Sequence, residues 1–110
     1  MDVVTVRERL KSMLAELDRS IEVLRGDSPA VRERSRADGG LDLTESGRNQ
    51  ALLDVAVRHR HSVLEALGRM DEGCYGLCAD CGGPVPESRL EARPEAARCV
   101  RCQSERERRR

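Results

Sequence analysis

Four cysteines in the last third of the chain form two CxxC pairs, Cys78/Cys81 and Cys99/Cys102, with seventeen residues between the pairs. This spacing suits a structural zinc site. Two cysteines three apart on a tight turn can both point at one ion, and Gly82 and Gly83 let the backbone after Cys81 curl so that amide N–H groups face the sulfurs. Cys99 and Cys102 share one face if they sit on a helix, and Pro94 can open that helix because the first helical position needs no N–H. Four thiolates close a tetrahedron around one Zn²⁺ and leave no position for a substrate, so the site reads as structural rather than catalytic. Two disulfides or four free thiols are the alternatives. A fifth cysteine, Cys74, lies just upstream. It can be a further thiol near the site, a redox sensor, or, most commonly, a small buried apolar group.

No catalytic constellation accompanies the cysteines. Ser46 and Ser62 have no evident activating base and acid, and no glycine loop is built to cradle phosphate. His59 falls within an apolar stripe and reads as a packed core histidine, while His61 points elsewhere. The chain is therefore expected not to be an enzyme.

What must position the cysteines is short of material for a core. The 110 residues contain no Phe or Trp, Tyr75 is the one aromatic, and 36% of residues are charged. Such a composition favours long two-sided helices and a staple such as a metal. Lys+Arg and Asp+Glu both total 20. That balance argues against a general duplex-DNA binder, and no sequence-specific DNA binding is expected. No apolar run is long enough for a membrane span, and Met1-Asp2 opens no signal peptide. A cytoplasmic location is the expectation, and there paired cysteines more often hold metal than form disulfides.

Two apolar stripes fill the first two thirds. Val3, Val6, Leu10, Met13, Leu17, Ile21 and Leu24 step by three and four, with Leu14 beside them. Gly26 interrupts, and Ser28-Pro29 reads as a cap for a short continuation over 29–37. Gly39-Gly40 signals chain reversal, and Asp42 with Glu45 has the spacing of a helix-starting box. The second stripe is Leu52, Ala56, His59, Val63, Leu67 and Met70, flanked by Leu53, Val57 and Leu64, and it ends at Gly73. Each segment is roughly twenty-three residues and cannot bury its stripe alone, so an antiparallel hairpin is expected. Dimerisation through either stripe is the rival arrangement. The fold class is thus mainly α: an N-terminal helical hairpin (coiled coil) over 1–72 with an acidic tip loop around 37–47, then a four-cysteine zinc finger with a basic C-terminal helix or tail over 73–110.

Charge is placed unevenly. The segment 37–47 carries Asp38, Asp42 and Glu45 and no basic residue, whereas 98–110 has six arginines against Glu105 and Glu107. Either can be a solvated surface. An acidic, glycine-containing turn can also reach a cationic or metal-bearing cleft.

The stretch from Gly73 to Cys102 resembles the DksA/TraR family of bacterial transcription factors. The likeness lies in Gly73, Tyr75, Gly76 and Cys78 at the entry, in the Arg-Leu-Glu-Ala-Arg-Pro run from Arg89 to Pro94, and in the two cysteine pairs. The resemblance implies that Cys78, Cys81, Cys99 and Cys102 hold one zinc. It implies binding to RNA polymerase rather than to DNA, with a coiled-coil tip entering the secondary channel toward the catalytic Mg²⁺ and altering open-complex stability. The family's tip motif, Asp-x-x-Asp-x-Ala, places its second Asp at Asp38, with Ser35 and Gly40 at the other two positions and Asp42 able to substitute if the loop is shifted. Arg93 matches a basic residue of the family's pocket for the alarmone ppGpp, a partner of some members, while Ser62 and Gln103 occupy two other basic positions of that pocket.

Three functions follow. One is a non-enzymatic regulator that binds RNA polymerase and modulates initiation through Asp38, Asp42 and Glu45. The second is a zinc-finger nucleic-acid adaptor using the arginine tail, and the third is a helical-hairpin interaction protein.

Overall fold

The computed structural model describes residues 2–26 and 43–109. They form four helices: α1 (Val3–Arg25), α2 (Leu43–Glu72), α3 (Glu87–Ala92) and α4 (Val100–Arg108). Among the described residues the only β pairing is an isolated antiparallel bridge, Leu77 with Pro84. The continuation over 29–37, the reversal at Gly39-Gly40 and Asp42 of the helix-starting box lie outside the described residues.

Local chemistry sets the helix ends. Asp2 caps α1: its carboxylate accepts from the Val4 N–H at 3.2 Å and from the Thr5 hydroxyl at 2.9 Å, which satisfies a backbone donor that a helix start leaves unpaired. At the end of α2, Gly73 has φ +77°. The Gly73 N–H donates to Met70 O at 3.2 Å and the Cys74 N–H donates to Arg69 O at 2.9 Å. This paired closure needs a left-handed residue, which only glycine adopts without strain.

The chain forms two compact units, residues 1–13 with 62–110, and residues 14–61. In the first, Val6, Leu10, Val63, Ala66 and Met70 are buried, and Arg7 pairs with Asp71 at 3.0 Å. In the second, Ile21 and Ala56 are buried and Arg60 pairs with Asp18. Within each unit an ion pair joins α1 to α2, Arg7 with Asp71 in the first and Asp18 with Arg60 in the second. The expected hairpin is therefore present in the described parts of both helices.

Two details differ from the periodic pattern. α1 has the expected 23 residues, but α2 has 30 and begins at Leu43, well before the apolar stripe. Residues 43–51 are mostly polar, so periodicity does not reveal them, but the spacing of Asp42 and Glu45 marks a start at Leu43 and no proline stops the helix from propagating. Leu52, assigned to the stripe, is 51% exposed. The Asp18–Arg60 register sets Leu52 level with Gly26, where α1 has already ended, so nothing of α1 covers it. Conversely Ala66 is fully buried although it was outside the stripe. Its small side chain suits a close approach of helix backbones.

Candidate metal centre

The first cysteine pair sits on a backbone knuckle. The Cys78 N–H donates to Gly83 O at 2.7 Å and the Gly82 N–H donates back to Cys78 O at 3.0 Å. Gly82 has φ +74°, the left-handed turn that closes this loop. The bridge from Leu77 to Pro84 and a bond from the Val85 N–H to Gly76 O at 2.8 Å hold the arms together. A bond from the Ala79 N–H to Ala97 O at 2.8 Å brings the second pair alongside. Cys99 caps α4 and Cys102 lies within its first turn.

The four sulfurs lie within 4.8 Å of one another, and those of Cys81 and Cys99 are 4.0 Å apart. A zinc tetrahedron with bonds of about 2.3 Å has edges of roughly 3.8 Å, so small side-chain adjustments bring all four into contact with one ion. The thiol chemistry fits. Amide donors at Cys81, Cys99 and Asp80, together with the Cys81 thiol, hold Cys78 down at about 6, the Cys81 amide most strongly, although burial opposes them. Cys102 is pushed up, first by its hydrogen bond with the Cys99 thiol and then by burial. Four adjacent sulfurs cannot all ionise without a cation between them, and a divalent ion removes that conflict. Zinc is the ion this donor set holds.

Amide N–H groups do face a sulfur, as expected: those aimed at Cys78 belong to Asp80, Cys81 and Cys99. Pro94 does not open the cysteine-bearing helix. It follows α3, is fully buried, and α4 starts only at Val100. Its carbonyl accepts the Tyr75 hydroxyl at 2.8 Å. The lone aromatic and Pro94 thus clamp opposite arms of the module. Burial, the largest influence, raises the Tyr75 pKa, while the nearby Arg69 cation counters it.

Cys78, Val85, Leu90 and Cys102 form the buried cluster of the module, with Tyr75, Ala96 and Cys99 packed against it. Arginines finish the frame in ways the sequence did not disclose. Arg89 Nε donates to Arg98 O at 2.9 Å, Arg98 Nε pairs with Asp80 at 2.9 Å, and Arg9 of α1 donates to Glu91 O at 2.6 Å. Each acts through a distant backbone or carboxylate oxygen, which spacing alone does not signal. Cys74 is half-buried and stands apart from the four, with its sulfur 3.8 Å from a Glu72 oxygen. Arg93 is exposed at the end of α3, where its N–H donates to Arg89 O at 2.8 Å. Asp38 and Asp42 lie outside the described residues, and Glu45 falls in the first turn of α2.

Residues 73–108 match the prokaryotic dksA/traR C4-type zinc finger. The chain is 36% identical over 80 residues to the RNA polymerase-binding transcription factor DksA of Caulobacter vibrioides, covering 73% of this chain and 51% of that protein. It is 34% identical over 69 residues to general stress protein 16O of Bacillus subtilis, covering 63% of this chain and 42% of that protein. The chain spans about half the length of these relatives. Its fold resembles that of transcription factor DksA2 from Pseudomonas aeruginosa, with a TM-score of 0.69 and 24% identity over 96% of this chain and 82% of that one. No helix among the described residues is long and apolar enough to cross a membrane.

Proposed function

Since its zinc-finger module makes this chain a member of the DksA/TraR family, we propose that it is a non-enzymatic, cytoplasmic regulator that binds RNA polymerase and modulates transcription initiation. The observation that carries this reading is the four-cysteine module on a helical hairpin, together with the 36% identity to a relative named for binding RNA polymerase. All four ligand positions are filled by thiolates, so the metal fixes structure and offers no substrate a place. The work falls to surfaces that the metal holds in shape.

In this proposal the segment between α1 and α2, with the start of α2, enters the polymerase secondary channel. Asp38, with Asp42 and Glu45, perturbs the active centre electrostatically, because carboxylates near a catalytic Mg²⁺ compete for the same field. Arg93, exposed on the module, contacts the polymerase or an alarmone such as ppGpp held against it. DNA is not the primary partner, as the balanced charge of the chain supports.

Two measurements on the full zinc-loaded chain test this. Core RNA polymerase should retain the protein in a pull-down, and no retention would sink the reading. Asp38→Asn should lose most of the effect on initiation in a purified promoter assay while retention is nearly unchanged. A fully active Asp38→Asn protein would remove the tip role and leave polymerase binding standing. A mobility shift with DNA alone that weakens steeply with salt would favour the nucleic-acid adaptor instead.

A further inference from the structure

The metal centre is asymmetric in how its sulfurs are surrounded. Cys78 is buried and faces amide donors, whereas Cys81 is exposed and the Cys81–Cys99 edge opens onto a cavity of about 460 Å³. Cys102, Arg101, Glu105 and Arg106 of α4 and Arg109 just after it line the same cavity. Arg106 and Arg109 follow Cys102 at i+4 and i+7, so they extend the ligand's own face by two turns.

The charges in and around this cavity form a closed account. Zinc held by four thiolates carries two negative charges. Asp80 and Glu105 add two more, and Arg98, Arg101, Arg106 and Arg109 supply four positive charges. Arg98 is engaged with Asp80 and Arg101 with Glu105, at 2.9 and 3.5 Å. Arg106 and Arg109 are the two that remain to offset the tetrathiolate. Loading takes up Zn²⁺ and releases the thiol protons, and the tetrathiolate that forms carries two net negative charges beside the arginines of the cavity. A cationic wall therefore favours the loaded state.

We propose that Arg106 and Arg109 are positioning residues of the metal centre, an outer cationic face that balances the exposed Cys81–Cys99 edge of the zinc tetrathiolate and sets how tightly the metal is held. The buried half of the centre is balanced by backbone amides and the open half by these guanidinium groups. The common alternative role of basic residues in a last helical turn is to complement the helix dipole. Arg108 shares that role and does not line the cavity, which makes it the control.

The test is zinc affinity of the full chain, measured by competition with a chelator at low and high salt. Arg106→Gln with Arg109→Gln should weaken zinc binding about tenfold at low salt, the lower end of the effect of partners around metal ligands. Arg106→Lys with Arg109→Lys should keep affinity near the original, and Arg108→Gln should leave it unchanged. Salt should bring the original protein toward the double Gln variant, since it screens the same attraction. Co²⁺-loaded proteins should all show one four-sulfur tetrahedral absorption spectrum. Unchanged affinity in the double Gln variant, or an equal loss in Arg108→Gln, overturns the proposal. A lost four-sulfur spectrum in the double Gln variant does so too, because the arginines would then support the fold of the site rather than its charge.

Discussion

The hairpin and the metal module solve the same shortage of core in opposite ways. The described hairpin buries Val6, Leu10, Ile21, Ala56, Val63, Ala66 and Met70, all apolar residues at helical spacing. The module's buried cluster is Cys78, Val85, Leu90 and Cys102, so half of it consists of metal ligands. Its remaining order comes from turns and single hydrogen bonds, such as Tyr75 to Pro94 and Ala79 to Ala97. A helix pair can therefore lose one side chain and weaken by degrees. The module cannot lose its ion and keep a core.

Removing the metal should break that contrast most forcefully. Structural zinc in small modules contributes on the order of 10 kcal/mol, more than the whole stability of many domains. Chelation, or Cys78→Ser, should abolish the dispersed amide NMR signals of residues 73–108 and loosen the α1 end that Arg9 ties to Glu91 O. A full native spectrum after complete metal removal would show that the ion is not the staple. Acid should act in the same direction. Cys78, held at about 6 by backbone amides, favours the folded thiolate form above that value and loses this contribution as pH falls through it. Zinc release on acidification should therefore steepen near and below about pH 6, readable with a zinc indicator.

The next effect sharpens the other side. Leu10 has no exposed surface, while Val3 on the same stripe is 55% exposed. Leu10→Ala should cost about 2–5 kcal/mol in urea unfolding, whereas Val3→Ala should stay within about 0.5 kcal/mol. Equal effects would mean that the stripe does not pack as the burial shows.

That difference also marks what the sequence could reveal. The cysteine spacing defined the metal set because ligand chemistry demands residue type and separation together. The stripe defined the seam at Val6, Leu10 and Ile21 of α1 and at Ala56, Val63 and Met70 of α2. It failed at Leu52, whose burial depends on where the partner helix stops, and at Ala66, whose small side chain carries little periodic signal. Pro94 was legible as a conformational constraint but not as an acceptor, since its partner Tyr75 is nineteen residues away. Arg9, Arg89 and Arg98 were illegible for the same reason: an exposed charge and a bridging one look alike until the chain is folded.

A smaller effect should come from the module's single aromatic clamp. Tyr75→Phe keeps the packed ring and deletes the hydroxyl that reaches Pro94 O at 2.8 Å. Leaving that carbonyl unpaired in a partly buried site should cost about 1–2 kcal/mol. The four-sulfur Co²⁺ spectrum should survive, because the metal fixes the cysteines independently. Collapse of that spectrum would instead rank Tyr75 with the ligands.

The smallest effect concerns the ion pairs that join the two helices. Arg60 reaches Asp18 at 2.5 Å, but both side chains are more than a third exposed, at 39% and 48%. Water screens such a pair and the long arginine loses freedom in making it, so a double-mutant cycle with Arg60→Gln and Asp18→Asn should give a coupling of only about 0.5 kcal/mol. It should shrink further in high salt. The local helix pairing should survive the double variant, because Ile21 and Ala56 of the same unit are buried and a slip would uncover them. A coupling of several kcal/mol, or a change in helix pairing seen by cross-linking, would reverse the assignment and make charge rather than burial the organiser of the hairpin.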